Sequence, residues 1–137
     1  MTLNNLQVSK EEITDYALNE KDALIIYLAG FHNHTKQHLL TKIYNKYSDL
    51  EYYHFGDIDV GGFLIFSNLK EKTGIPFIPY KMGINELQNN KERLKKLTEN
   101  DKKRLLKLVE NEKFKIFNKT IEYMIKNNVK LEQEILD

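Results

Sequence analysis

The sequence of 137 residues contains no cysteine and no tryptophan, only two prolines and six glycines. Without cysteine, neither a disulfide framework nor a thiolate zinc site can form. No apolar run approaches the roughly 18 residues that a membrane-spanning helix needs. The first residues also lack a signal-peptide pattern, so a cytoplasmic protein with no membrane partner is expected. Neither sign of charge dominates, because 21 Lys and Arg face 20 Asp and Glu. Such a balance argues neither for nor against a nucleic-acid partner. The GxxxxGK[ST] phosphate loop and the GxGxxG fingerprint are both missing. Ser48 and Ser67 lack the G-x-S-x-G context of a nucleophile elbow.

What is present suits one soluble domain with a modest core, 41% hydrophobic and 30% charged. The charge is unevenly spread. Residues 85–137 hold 13 Lys and Arg against 10 Asp and Glu, whereas residues 1–84 hold 8 against 10. The first part reads as strand–helix alternation. Strands are expected at 3–10, at the continuous apolar run 23–29, at 50–55 and, as a proline-bearing edge strand, at 75–80. Asn33 is a candidate N-cap, and Leu39, Leu40, Ile43, Tyr44 and Tyr47 recur at helical spacing until Ser48-Asp49. A helix is expected over 61–72 with Gly74 as its C-cap. From residue 85 the chain reads as helical to its end, with helices over 85–97, from the Thr98/Asp101 capping box, and around Phe114 to Ile125. Asn127-Asn128 interrupts before Leu131. The expected fold is α/β, a small parallel sheet of about four strands with flanking helices (1–84) and a helical C-terminal tail (85–137).

The stretch Tyr52-Tyr53-His54-Phe55-Gly56-Asp57-Ile58-Asp59-Val60-Gly61-Gly62 stands at the centre of this pattern. It predicts a buried strand, a tight turn and a helix, with two carboxylates at the strand end, where ligands of open α/β sheets bind. Residues i and i+2 of an extended segment point to one side. Two such carboxylates repel unless a cation lies between them, and oxygen-only ligands suit Mg2+ or Mn2+. Gly56, Gly61 and Gly62 allow close approach of backbone and phosphate. The plainer alternative has one aspartate capping the helix and the other solvated.

Other candidates are weaker in the residues alone. Glu11 lies at the end of the first expected strand, on the same rim as Asp57, and Glu12 is chemically equivalent. Glu132 and Glu134 flank Gln133 and reach the rim only if the tail folds back. His34 and His38 stand at i, i+4, a spacing more often seen on an exposed helix face than at a metal. His54 reads as a core histidine. His32 follows Gly30 on the presumed active rim.

The residues 53–63 resemble the Asp-x-Asp motif of Toprim domains. More narrowly, they resemble the C-terminal domain of JetD, the nuclease subunit of bacterial Wadjet anti-plasmid systems, which is similar to the Toprim domain of the topoisomerase VI A subunit. Leu28-Ala29-Gly30-Phe31-His32-Asn33 resembles the glycine-containing turn after the second strand of that family. Leu97-Thr98 with Asp101, and Leu131-Glu132-Gln133-Glu134-Ile135, resemble its helical tail. Glu11-Glu12-Ile13-Thr14-Asp15-Tyr16 occupies the place of its motif like Glu-Asn-Leu-Thr-x-Phe, with Glu12 where asparagine is expected and Asp15 as an added acid.

This resemblance implies a Toprim-like fold and a metal-dependent DNA nuclease. Glu11, Asp57 and Asp59 would be catalytic and hold Mg2+ or Mn2+, with Glu132 and Glu134 as further ligands. Gly30, His32, Asn33 and Gly61 would face the substrate. It implies double-stranded DNA and the SMC-type complex of the Wadjet system as partners. It also implies a longer protein, of which this is a C-terminal part, with an N-terminal region that binds DNA and forms a homodimer. Two other readings stay open. A haloacid-dehalogenase-like phosphotransfer enzyme also uses Asp-x-Asp, though the acidic pair it needs near a later strand is missing. A non-catalytic DNA- or protein-interaction module is the other.

Overall fold

The computed structural model describes residues 34–133, which form a helix-rich α/β unit. Helix α1 (His34–Lys46) buries Leu40 and sets Tyr44 edge-on to Tyr52, with ring centroids 5.2 Å apart. Strand β1 (Tyr53–His54) runs parallel to β2 (Ile78–Pro79), with Tyr53 opposite Ile78. The N–H groups of Ile78 and Tyr80 donate to the carbonyls of Tyr52 and His54, each at 2.8 Å. Pro79 lies between these donors, so its missing N–H falls on the side away from β1, which suits the expected edge position.

Helix α2 (Val60–Thr73) makes the crossover between the two strands. It starts where the Asp59 side chain accepts the Gly62 N–H, and it stops where Gly74 takes φ 70 and donates its own N–H to the Lys70 carbonyl. Val60, Phe63, Phe66 and Leu69 recur every third residue along it and are buried. Phe63 and Phe66 both pack against Phe117, with centroids 4.4 Å and 5.2 Å away. These rings join the β-α-β unit to the second half of the chain.

That second half departs from the expected run of helices. After α3 (Ile84–Asn89) come a short 3-10 helix (Lys91–Arg93) and strand β3 (Lys95–Lys96). Helix α4 (Glu99–Val109) opens on the expected capping box of Thr98 and Asp101. A second 3-10 helix (Glu112–Phe117), helix α5 (Asn118–Asn127) and strand β4 (Val129–Lys130) follow. Asn128, at φ 57, ends α5 and turns the chain back. Strand β4 then pairs antiparallel with β3, Lys95 opposite Lys130 and Lys96 opposite Val129. The single helix expected over 85–97 therefore ends at Asn89. Glu92, Arg93, Lys95 and Lys96 are good helix formers, but cross-strand pairing overrides that preference. Among the described residues the sheet is two separate two-stranded pairs rather than four parallel strands. The strands expected at 3–10 and 23–29 lie outside the described residues.

One close approach fixes how α2 meets β1. A Cβ on Gly62 would lie 1.9 Å from the Asp57 carbonyl oxygen and 2.7 Å from its carbon, both backbone atoms that cannot swing aside. At Gly61 the nearest atom is Asp59 Oδ1 at 3.5 Å, an ordinary contact. Gly62→Ala is expected to lower stability by about 2 kcal/mol or more. Gly61→Ala is expected to leave it unchanged or raise it by up to about 1 kcal/mol. The urea midpoints of the two variants check this.

Candidate functional site

Beyond β1 the chain is held by its own C-terminal segment. The Ile58 N–H donates to the Leu131 carbonyl at 2.8 Å, and the Leu131 N–H donates to the Ile58 carbonyl at 3.1 Å. Both side chains are fully buried. Burying Ile58 turns its neighbours Asp57 and Asp59 the other way, where each is half-buried. The two carboxylates thus flank a pinned apolar residue at the junction of β1 and α2.

Each aspartate also carries a structural hydrogen bond. Asp59 Oδ1 accepts the Gly62 N–H at 2.7 Å, so this residue is the N-cap of α2. Asp57 Oδ1 accepts the N–H of Gln133 at 2.7 Å. Gln133 is 5% exposed, and its Nε2 donates to the Lys81 carbonyl at 2.8 Å. Lys81 follows β2 with φ 51, a left-handed conformation that costs a non-glycine residue about 1–2 kcal/mol.

At Asp59 the influences that oppose the charged form outweigh those that favour it. Burial pushes Asp59 from 3.8 up to about 6. The Gly62 N–H pulls it down, the Asp57 and Glu132 carboxylates push it up, and Lys130 pulls it down. Lys130 itself is committed to Asp101 at 2.9 Å, with both side chains largely buried. Burial would raise Asp101, but the Thr98 hydrogen bonds and Lys130 outweigh it and hold its carboxyl below the usual range. Glu132 Oε2 is 2.8 Å from Lys95 Nζ, an ion pair that crosses from β3 to the end of β4. Of the lysines of the β3–β4 pair, Lys95 thus faces Glu132, and Lys130 faces Asp101 of the α4 cap while its charge reaches Asp59.

Of the site residues expected from the sequence, Asp57 and Asp59 are side by side, and Glu132 is brought within electrostatic reach of Asp59. Gly61 lies in the first turn of α2. His34 and His38 are exposed on α1, and the half-buried His54 ring packs 5.8 Å from Phe66. Glu11, Gly30, His32, Asn33 and Glu134 lie outside the described residues. Among the described residues no three His, Asp or Glu side chains converge tightly enough to hold a metal. Asp57 and Asp59 nevertheless suit a divalent cation, as paired hard-oxygen donors whose mutual repulsion and burial a cation would relieve. Gln133, Lys95 and Lys130 went unrecognised in the sequence. The only hint for Gln133 was its lack of charge between two glutamates.

The direction of the Asp59 shift fixes a pH dependence. Because the folded state holds the proton more tightly, stability falls as pH rises from about 4 to about 6, and the whole penalty is present above that. Asp59→Asn keeps an Oδ1 acceptor for the Gly62 N–H and removes the charge. In the absence of divalent cations it is expected to be more stable than wild type above about pH 6, by on the order of 1–2 kcal/mol. The two proteins should coincide below about pH 4. Urea unfolding across this range checks the difference.

Comparison with known proteins identifies the family of the chain. Residues 9–137 match the family described as "Wadjet protein JetD, C-terminal". The Wadjet protein JetD of Bacillus cereus (strain Q1) is 30% identical over 138 aligned residues, covering 99% of this chain and 33% of the relative. The chain therefore spans about a third of the length of that relative. The segments that build the site, 57–59 and 131–133, both fall inside the matched region. The chain belongs to the family of Wadjet JetD C-terminal domains.

Proposed function

We propose that this chain is the catalytic domain of a divalent-metal-dependent DNA nuclease that cleaves phosphodiester bonds within a Wadjet-type plasmid-defence system. The observation that carries the reading is the juxtaposition of Asp57 and Asp59 at the β1–α2 junction, with Asp59 raised to about 6 by burial and by the neighbouring carboxylates. Acids held together at such cost favour a cation.

Asp57 and Asp59 would hold Mg2+ or Mn2+, and Glu11, Glu132 and Glu134 would be its further ligands. When bound, the metal would orient the phosphodiester, activate the attacking water and neutralise charge on the leaving oxygen. The chain's own residues supply the framework. Asp59 holds the N-terminus of α2, whose partial positive charge favours an approaching phosphate. Gly61 keeps that first turn low, and Gly30, His32 and Asn33 are the further substrate-facing candidates. Double-stranded DNA is the proposed substrate. The SMC-type complex and homodimerisation through the upstream two thirds of the longer relative are the proposed assembly. Family membership supports this setting.

A non-catalytic reading has one observation in its favour, since Asp59 caps a helix and Asp57 anchors the tail. Cation binding separates the two. At a hundredfold excess over its Kd, Mn2+ is expected to stabilise the wild type by about 2.7 kcal/mol. Asp57→Ala should abolish that stabilisation, which thermal unfolding reads directly. Plasmid nicking by the full-length protein should fall on the order of a hundredfold in Asp59→Ala. An unshifted wild type, or undiminished nicking, would sink the nuclease reading.

A further inference from the structure

We propose that Gln133 is a positioning residue for Asp57, fixing the orientation in which that carboxylate meets its cation. The inference rests on the nuclease reading for its purpose and on separate geometry for its substance. Gln133 joins three segments far apart in sequence. Its backbone N–H holds Asp57 Oδ1 at 2.7 Å, and its side-chain Nε2 reaches the Lys81 carbonyl at 2.8 Å. It is one of two buried polar residues among those described, at 5% exposure. A buried amide without partners is unfavourable, so the bond to Lys81 is what allows this side chain to be inside.

The turn at Lys81 is shaped for that bond. Lys81 takes a left-handed φ of 51 and offers its carbonyl to Gln133. On the other side, Leu131 is clamped to Ile58. The residue-133 N–H is therefore held between two fixed points, the Leu131–Ile58 pair and the Lys81 carbonyl. A carboxylate bonded through one oxygen to a fixed donor cannot rotate freely, so its other oxygen is presented in one direction. The glutamine amide supplies the donor to the Lys81 carbonyl without adding charge. An ionised glutamate is acceptor-only, would face a carbonyl, and would add charge beside Asp57. Methionine keeps the length and loses the donor.

The test uses the full-length protein with Gln133→Glu and Gln133→Met. Without metal, hydrogen exchange in the segment around residue 133 should accelerate at least about tenfold in both, with α4 unchanged. Mn2+ affinity, read by electron paramagnetic resonance, should weaken by about tenfold. Thr98→Ala, which loses a helix cap away from Asp57, should keep wild-type affinity. Unchanged exchange, or accelerated exchange with wild-type Mn2+ affinity, overturns the proposal. So does an equal loss of affinity in Thr98→Ala. A wild type that binds no Mn2+ overturns the nuclease reading instead. Exchange then decides Gln133 alone: acceleration shared by Asp57→Asn and Gln133→Glu supports it, and acceleration in neither overturns it.

Discussion

The antiparallel pairing of Ile58 with Leu131 is the contact on which the rest of the site depends. It combines two backbone hydrogen bonds with the complete burial of two aliphatic side chains. Everything polar nearby takes its position from it. Asp57 and Asp59 face away from the core because Ile58 faces into it. Glu132 and Gln133 arrive because Leu131 is fixed one and two residues earlier. Burying the apolar pair is favourable despite its entropy cost, and it carries charged neighbours to a place that they would not reach by themselves.

Among the acids so gathered, the charge of Asp59 is only partly balanced. Lys130 is engaged by Asp101 while its charge also lowers the Asp59 pKa, and Lys95 is engaged by Glu132. Asp59 compensates in part by accepting a helix N-terminal N–H, yet burial still raises its pKa. A turn selected for stability alone would place an uncharged cap such as asparagine or serine at residue 59. An aspartate there keeps a charge that asparagine would lack, and the proposed cation would use that charge. Gln133 shows the complementary economy, since one residue ties down both the tail and the Asp57 carboxylate.

Much of this was legible in the sequence, for reasons that differ between elements. Capping at the start of helix α2 was legible only as the plainer alternative for one of the two aspartates. Its end was announced by Gly74, because caps are local chemistry. The Thr98/Asp101 box was equally plain. Tyr53-His54 and Ile78-Pro79 were marked by their apolar and proline-flanked surroundings. The β3–β4 pair was not. Lys95 and Lys96 carry no strand signal, and Leu87, Leu94 and Leu97 are spaced as a helix would space them. Only the partner strand 33 residues later makes the segment extended. The return of residues 131–133 was likewise conditional, since a tail of alternating acids reads as solvated until Leu131 finds Ile58. The capping of α2 by Asp59 and its part in the acidic pair looked like rival interpretations. The structure has one side chain doing the first while its charge is felt in the second.

The matched relative is about three times as long as this chain. The central claim concerns the turn itself, that Asp57 and Asp59 are built to share a divalent cation. Crystals of the full-length protein soaked in Mn2+ and measured at the manganese absorption edge test it most directly. The account predicts an anomalous peak about 2.1 Å from a carboxylate oxygen of both Asp57 and Asp59. Manganese bound only elsewhere, with the space between these two carboxylates empty, would contradict it.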